Sequence, residues 1–113
     1  MPPLPESSAE FIVIWEFEVR TNLAREFEEL YGSNGGWAQL FRKSTGYLKT
    51  DLLRDTLIQN RYITIDYWKS QSDYEEFKLA FGVEYRQLDD QAERLTIAER
   101  FIGTIAPRSE SNA

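Results

Sequence analysis

Arg61-Tyr62-Ile63-Thr64-Ile65-Asp66-Tyr67-Trp68-Lys69-Ser70, or RYITIDYWKS, is the stretch from which the fold can be read. Its β-branched and aromatic residues alternate as a strand requires. Tyr62, Thr64, Asp66 and Trp68 share one face, and Ile63, Ile65 and Tyr67 share the other. Immediately beyond it, Ser72-Asp73-Tyr74-Glu75 has the S-x-x-E form of a capping box, so the strand is expected to run straight into a helix. An aspartate two residues from a tryptophan, on a face that helices will cover, needs a hydrogen-bond partner or water. This strand is therefore expected to line whatever pocket the protein has.

Working back along the chain, Tyr47 to Asp55 reads as a second strand, with Leu48, Thr50, Leu52 and Arg54 on one face. The short polar connection Thr56 to Asn60 predicts a hairpin. Centred near Ile58, it sets Arg54 opposite Tyr62 and Thr50 opposite Asp66. Glu10 to Val19 is another strand, in which Phe11, Val13, Trp15, Phe17 and Val19 form an apolar face and Ile12, Ile14, Glu16 and Glu18 form the other. Between these two strands, Thr21 or Asn22 can cap a helix carrying the stripe Leu23, Phe27, Leu30 and Tyr31. The run Gly32 to Gly36 breaks it. Asn34 is placed to cap a second short helix bearing Trp37, Leu40 and Phe41, which Gly46 stops.

Working forward, Tyr74, Phe77, Phe81, Leu88, Ala92 and Leu95 hold one helical stripe, with Gly82 as a bend or break, and Thr96 to Ile105 reads as the last strand. The order β-α-β-β-α-β predicts an α+β, ferredoxin-like domain: a four-stranded antiparallel sheet with helices on one side. Its expected limits are residues 10–105, between tails at 1–9 and 106–113. Helices can cover only one sheet face, yet Ile12, Ile14, Ile63, Ile65 and Tyr67 lie on the other. Burying each such side chain stabilises by roughly 1.5–3 kcal/mol. A second copy of the chain is the expected cover, making a homodimer.

Composition narrows the function. The 113 residues suffice for one core. A net charge of -6 and a pI of about 4.7 argue against nucleic acid and against anionic membranes as partners. There is no Cys and no His. That removes disulfides, Ser-His-Asp and Cys-His sites, and the usual base at neutral pH. A carboxylate-only site for a hard cation stays open, but the acids show no metal-loop spacing; neither a metal nor a cofactor is expected. The amino end has no basic segment followed by an apolar one, and no apolar run reaches membrane-spanning length, so a cytoplasmic location is expected.

YITIDYWKS followed by YEEF, with the earlier W-x-x-L-F-R, G-Y-L and LLRD and the later EY-x-x-LD, resembles the antibiotic biosynthesis monooxygenase domain family over about Glu10 to Ile105. The resemblance implies two sheets joined in a dimeric α/β barrel, with a pocket between sheet and helices in each subunit. It implies, for some relatives, oxidation of quinols, phenols or anthrone-type rings by molecular oxygen without a cofactor. Haem-degrading relatives use a Trp, a His and an Asn at positions that fall here near Trp68, Phe81 and Trp15. The His and the Asn are missing, so haem degradation is set aside. Closer relatives carry H-x-x-E-Y where this chain has Phe81-Gly82-Val83-Glu84-Tyr85.

The candidate site follows. Trp68 is read either as a pocket residue with a part in catalysis or as a core residue at the strand-helix corner. Asp66 is read either as a base with a raised pKa or as the partner of Arg54 or Arg100. Tyr62, Phe81, Tyr85, Trp15 and Arg54 are candidates for binding a flat ring, although Trp15, like Phe77, reads more readily as core. The Gly32 to Gly36 break is a candidate lid, and Asp89-Asp90 reads as solvated surface. The function expected is oxidation of a small electron-rich aromatic. The alternative is a dimer of this fold that binds a small molecule or serves only as structure.

Overall fold

The computed structural model describes residues 9–108; of the expected tails 1–9 and 106–113, residues 1–8 and 109–113 lie outside the described residues. Four strands form one sheet: β1 (Phe11–Val19), β2 (Tyr47–Arg54), β3 (Arg61–Trp68) and β4 (Thr96–Ile105). Their spatial order is β2-β3-β1-β4, and every neighbouring pair is antiparallel. Helices α1 (Ala24–Tyr31) and α2 (Gly36–Phe41) connect β1 to β2, and α3 (Gln71–Ala80) and α4 (Gly82–Ala92) connect β3 to β4. This is the ferredoxin-like α+β arrangement that the element order calls for.

The period-two pattern of β3 controls the layering. Tyr62, Thr64, Asp66 and Trp68 are buried while Arg61, Ile63, Ile65 and Tyr67 are only partly so. The hairpin register places Thr50 opposite Asp66 and Arg54 opposite Tyr62. On the central pair, Asp66 lies opposite Val13, Thr64 opposite Trp15 and Tyr62 opposite Phe17. The inner face is packed by an aromatic core in which Phe27, Tyr31, Trp37, Phe41 and Phe77 come down from the helices. The outer face carries the rows Tyr67-Ile12-Ile105 and Leu53-Ile63-Glu16-Arg100.

Local details differ from the sequence expectations. The cap of α3 is Ser70: its hydroxyl accepts from the Asp73 backbone N–H at 3.1 Å and donates to the Asp73 carboxylate at 2.9 Å. The cap is thus Ser70 with Asp73, two residues before Ser72-x-x-Glu75, because β3 ends at Trp68 and leaves Ser70 in the extended conformation that a cap needs. Neither Thr21 nor Asn22 caps α1; both lie in a 3₁₀ turn, Thr21–Leu23, that leads into it. Asn34 does not cap α2. Its side chain and carbonyl instead accept from Arg42 and Gln39, and Gly35 takes the cap position. Gly35 passes so close to the end of α1 that a Cβ there would sit 2.4 Å from the carbonyl oxygens of Glu29 and Leu30. Gly46 does not stop α2, which ends at Phe41, but lies against Asp73 at the start of α3. A register shift between Tyr47 and Lys49 turns Tyr47 inward, so Leu48 leaves the face of Thr50.

Candidate functional site

Where α1, α2 and α4 lie over the middle of the sheet, they do not close on it. A cavity of about 130 Å³ remains, walled by Trp15, Phe17, Tyr31, Trp37 and Phe41, with Thr50, Thr64, Asp66, Tyr85, Asp89 and Glu99 supplying its polar groups. The Gly32 to Gly36 break shapes this space. It ends α1 on Tyr31 and starts α2 next to Trp37, so two ring side chains flank one reversal of the chain.

Asp66 is the buried carboxylate of the cavity, 8% exposed. Thr50 Oγ1 donates to its Oδ1 at 2.6 Å. The Tyr47 hydroxyl lies 2.8 Å from the same Thr50 oxygen, so with the Thr50 proton directed at the carboxylate, Tyr47 is the donor of that second bond. The chain of hydrogen bonds runs Tyr47 to Thr50 to Asp66. Burial pushes the Asp66 carboxyl up from 3.8 to about 6, and the Thr50 bond opposes that rise. The expected ion pair is absent. Arg100 pairs with Glu16 on the outer face, and Arg54 lies exposed at the sheet edge, with no salt bridge among the described residues. The pairing fails on geometry: Arg100 belongs to the outer row of the sheet, and Arg54 lies in the row of Tyr62 rather than that of Asp66.

Trp68 shares the face of Asp66 but is not among the cavity-lining side chains. It is fully buried, with ring centroids of Phe41, Tyr47, Tyr74 and Phe77 at 5.3–5.5 Å. Its indole Nε1 has no hydrogen-bond partner. Tyr62 is likewise behind the wall; its hydroxyl donates to Glu28, and burial with that carboxylate pushes its pKa up to about 12. Phe81 stacks on Phe77 at 5.6 Å at the α3-α4 junction, outside the lining. Of the binding candidates, Trp15 and Tyr85 line the cavity.

Several lining residues were not singled out from the sequence. Asp89, read as surface, is exposed yet lines the cavity, where it supplies an acid from α4. Glu99, opposite Phe17 on the inner face of β4, supplies another. Its one sequence signal is its place two residues from Phe101, whose ring packs on Trp15 at 5.3 Å. Burial, then repulsion by Asp89 and Glu93, pushes the Glu99 carboxyl up. Trp37 is 7% exposed, and its Nε1 also lacks a partner.

Residues 10–78 match the family model described as antibiotic biosynthesis monooxygenase. The fold is similar to that of SnoaB from Streptomyces nogalater, described as a cofactor-independent oxygenase, with a TM-score of 0.72 and 19% identity over 93% of this chain and 99% of that one. It is similar, with a TM-score of 0.69 and 18% identity over 95% of each chain, to a monooxygenase from the gene ActVA-Orf6 of Streptomyces coelicolor, solved with nanaomycin D. A conserved protein from Methanosarcina mazei Go1 shares the fold at 9% identity, with a TM-score of 0.68 over 91% of this chain and 97% of that one. No curated protein matches the sequence. Among the described residues, no helix is long and apolar enough to cross a membrane.

Proposed function

We propose, from the premise that this chain belongs to the antibiotic biosynthesis monooxygenase family, that it oxidises a small electron-rich phenol or quinol with molecular oxygen, using Asp66 as the base. The observation that carries this reading is a buried carboxylate, with one oxygen held by Thr50, in the wall of an aromatic cavity. A base works best when its pKa lies near the operating pH, and burial brings Asp66 to about 6.

The chemistry needs little beyond that. Asp66 takes the phenolic proton. The resulting anion gives one electron to dioxygen, and superoxide recombines with the ring radical at an unsubstituted carbon ortho or para to the oxygen to form a C–O bond. The O–O bond then breaks as the ring C–H proton is lost. One oxygen stays as the quinone carbonyl, the other leaves as water, and the substrate supplies all the electrons. The ring walls exclude water and hold the substrate flat.

The volume supports a one-ring substrate. A cavity of about 150 Å³ accommodates benzene, so about 130 Å³ encloses a single ring and leaves substituents at the mouth. We further propose that the molecule works as a homodimer joined through the outer sheet face, where Ile12, Ile14, Ile63 and Ile65 adjoin exposed Leu53 and Ile105.

The test is oxygen uptake with a panel of one-ring quinols and phenols, in the presence of chelator, by the wild type, Asp66→Asn and Trp68→Phe. Uptake that survives chelator, is lost in Asp66→Asn and persists in Trp68→Phe supports the reading. Uptake unchanged in Asp66→Asn rejects Asp66 as the base. No uptake above the uncatalysed rate favours the binding-dimer alternative.

A further inference from the structure

The charges in the cavity all have one sign. Asp66 comes from β3, Asp89 from α4 and Glu99 from β4, and the lining contains no Lys or Arg. A cation does lie close by: Lys78 Nζ is 5.2 Å from the Tyr85 ring centroid, but it is not part of the lining. A site built for a neutral or anionic phenol alone would gain nothing from this arrangement, because once Asp66 holds the proton the carboxylates of Asp89 and Glu99 oppose the build-up of a phenolate beside them. One buried polar group also keeps unused hydrogen-bonding capacity: Asp66 is 8% exposed, and Thr50, the only side chain among the described residues that donates to it, binds only one of the two carboxylate oxygens. Five of the lining residues are Trp, Tyr or Phe side chains from β1, α1 and α2, whose ring faces attract cations.

We infer that the substrate is a phenol bearing a protonated amine, with the ring inside the aromatic walls, the hydroxyl at Asp66 and the ammonium at the mouth between Asp89 and Glu99. The proposal rests on the reading above for the phenolic end and adds the amine. The ammonium would neutralise the mouth and stabilise the phenolate that Asp66 generates, so the acids that oppose a plain phenol favour this one. The field reaches the walls: the hydroxyls of Tyr31 and Tyr85 are raised first by burial, and Asp89 and Glu99 add to the rise in both.

Calorimetric titration with tyramine and with its neutral counterpart para-ethylphenol tests the charge without requiring turnover. The expected result is that tyramine binds roughly tenfold tighter, as one favourable charge contact of about 1.4 kcal/mol requires. In the Asp89→Asn/Glu99→Gln double variant, the para-ethylphenol affinity is expected to persist while the preference for tyramine falls toward unity. Equal or weaker binding of tyramine, no binding of either, or a preference that survives in the double variant overturns the inference. Oxygen uptake with neutral quinols reports separately on the oxygenase reading, so that reading can stand when this one fails.

Discussion

Two neighbouring positions on one strand face hold opposite environments. Trp68 and Asp66 lie two residues apart on β3 and point to the same side of the sheet. Around Trp68 the rings of Phe41, Tyr47, Tyr74 and Phe77 close completely. Around Asp66 the rings of Trp15, Trp37 and Phe41 stand back and leave a cavity. The composition is similar, so the difference comes from the covering layer. Helix α3 starts straight after β3 and lays Tyr74 and Phe77 on the indole. Over Asp66 the cover is the broken pair α1 and α2, together with α4, which begins only after the interruption at Phe81. Tight cover makes a dry core that stabilises. Interrupted cover leaves an ionisable group buried but reachable, which costs stability and permits chemistry.

The largest effect that can break this contrast is on turnover. With Asp66→Asn, the rate of oxygen uptake is expected to fall roughly 10²–10⁴-fold, the usual contribution of a positioned base. Steady-state kinetics on a responsive quinol decide it, and a loss confined to KM would assign Asp66 to binding instead. The opposite substitution, Trp68→Ala, should act on stability. A fully buried tryptophan truncated to alanine costs about 3–5 kcal/mol, read as a lower urea midpoint. A Trp68→Ala protein that keeps its midpoint would show the enclosed end to be as loose as the open one.

Stability against pH sharpens the comparison further. The Asp66 pKa is raised from 3.8 to about 6 on folding. Its contribution is therefore fully present below pH 3.8 and is lost as pH rises through about 6, leaving a buried carboxylate to be tolerated at neutral pH. Asp66→Asn removes that burden while keeping an acceptor for Thr50. It should stabilise the fold by on the order of 2–3 kcal/mol at neutral pH, with the advantage vanishing near pH 4. Denaturant melts across this range check the sign. The smallest effect belongs to Thr50→Val. Thr50 holds the Asp66 pKa down against burial, so its loss should move the acidic limb of the pH-rate profile to higher pH and cost about 1 kcal/mol of stability. An acidic limb that stays in place would break the link between Thr50 and the base.

Much of this contrast was legible in residues 61–70. Alternation along β3 separates inner from outer side chains, and a short polar hairpin leaves little freedom in register, so Thr50 opposite Asp66 could be reasoned from spacing alone. Which inner residue meets a cavity could not. That depends on how far each helix reaches over the sheet, which Ser70, Gly35 and Phe81 determine through cap and break geometry. Trp68 looked like a pocket residue because aromatic spacing is the same in a core and in a pocket wall. Asp89 looked like surface because an exposed helical acid has the same sequence pattern whether or not a cavity opens beside it. Glu99 escaped notice because the register of β4 against β1 shifts twice, between Ile14 and Trp15 and between Glu18 and Val19, so strict alternation does not identify its inward residues. Arg54 and Arg100 offered plausible partners for Asp66. Only the observed rows of the sheet show that one lies beyond it and the other behind it.

The central claim is that Asp66 is a buried, poised base facing a cavity. Carboxyl-carbon NMR titration of selectively labelled aspartate in the folded protein, with Asp66→Asn to assign the resonance, measures this directly. The expected result is an apparent pKa of about 6 for Asp66, with the resonance shifting when a one-ring phenol is added. A pKa at or below the ordinary 3.8, unchanged by phenol, would mean a solvated or paired carboxylate and would contradict it.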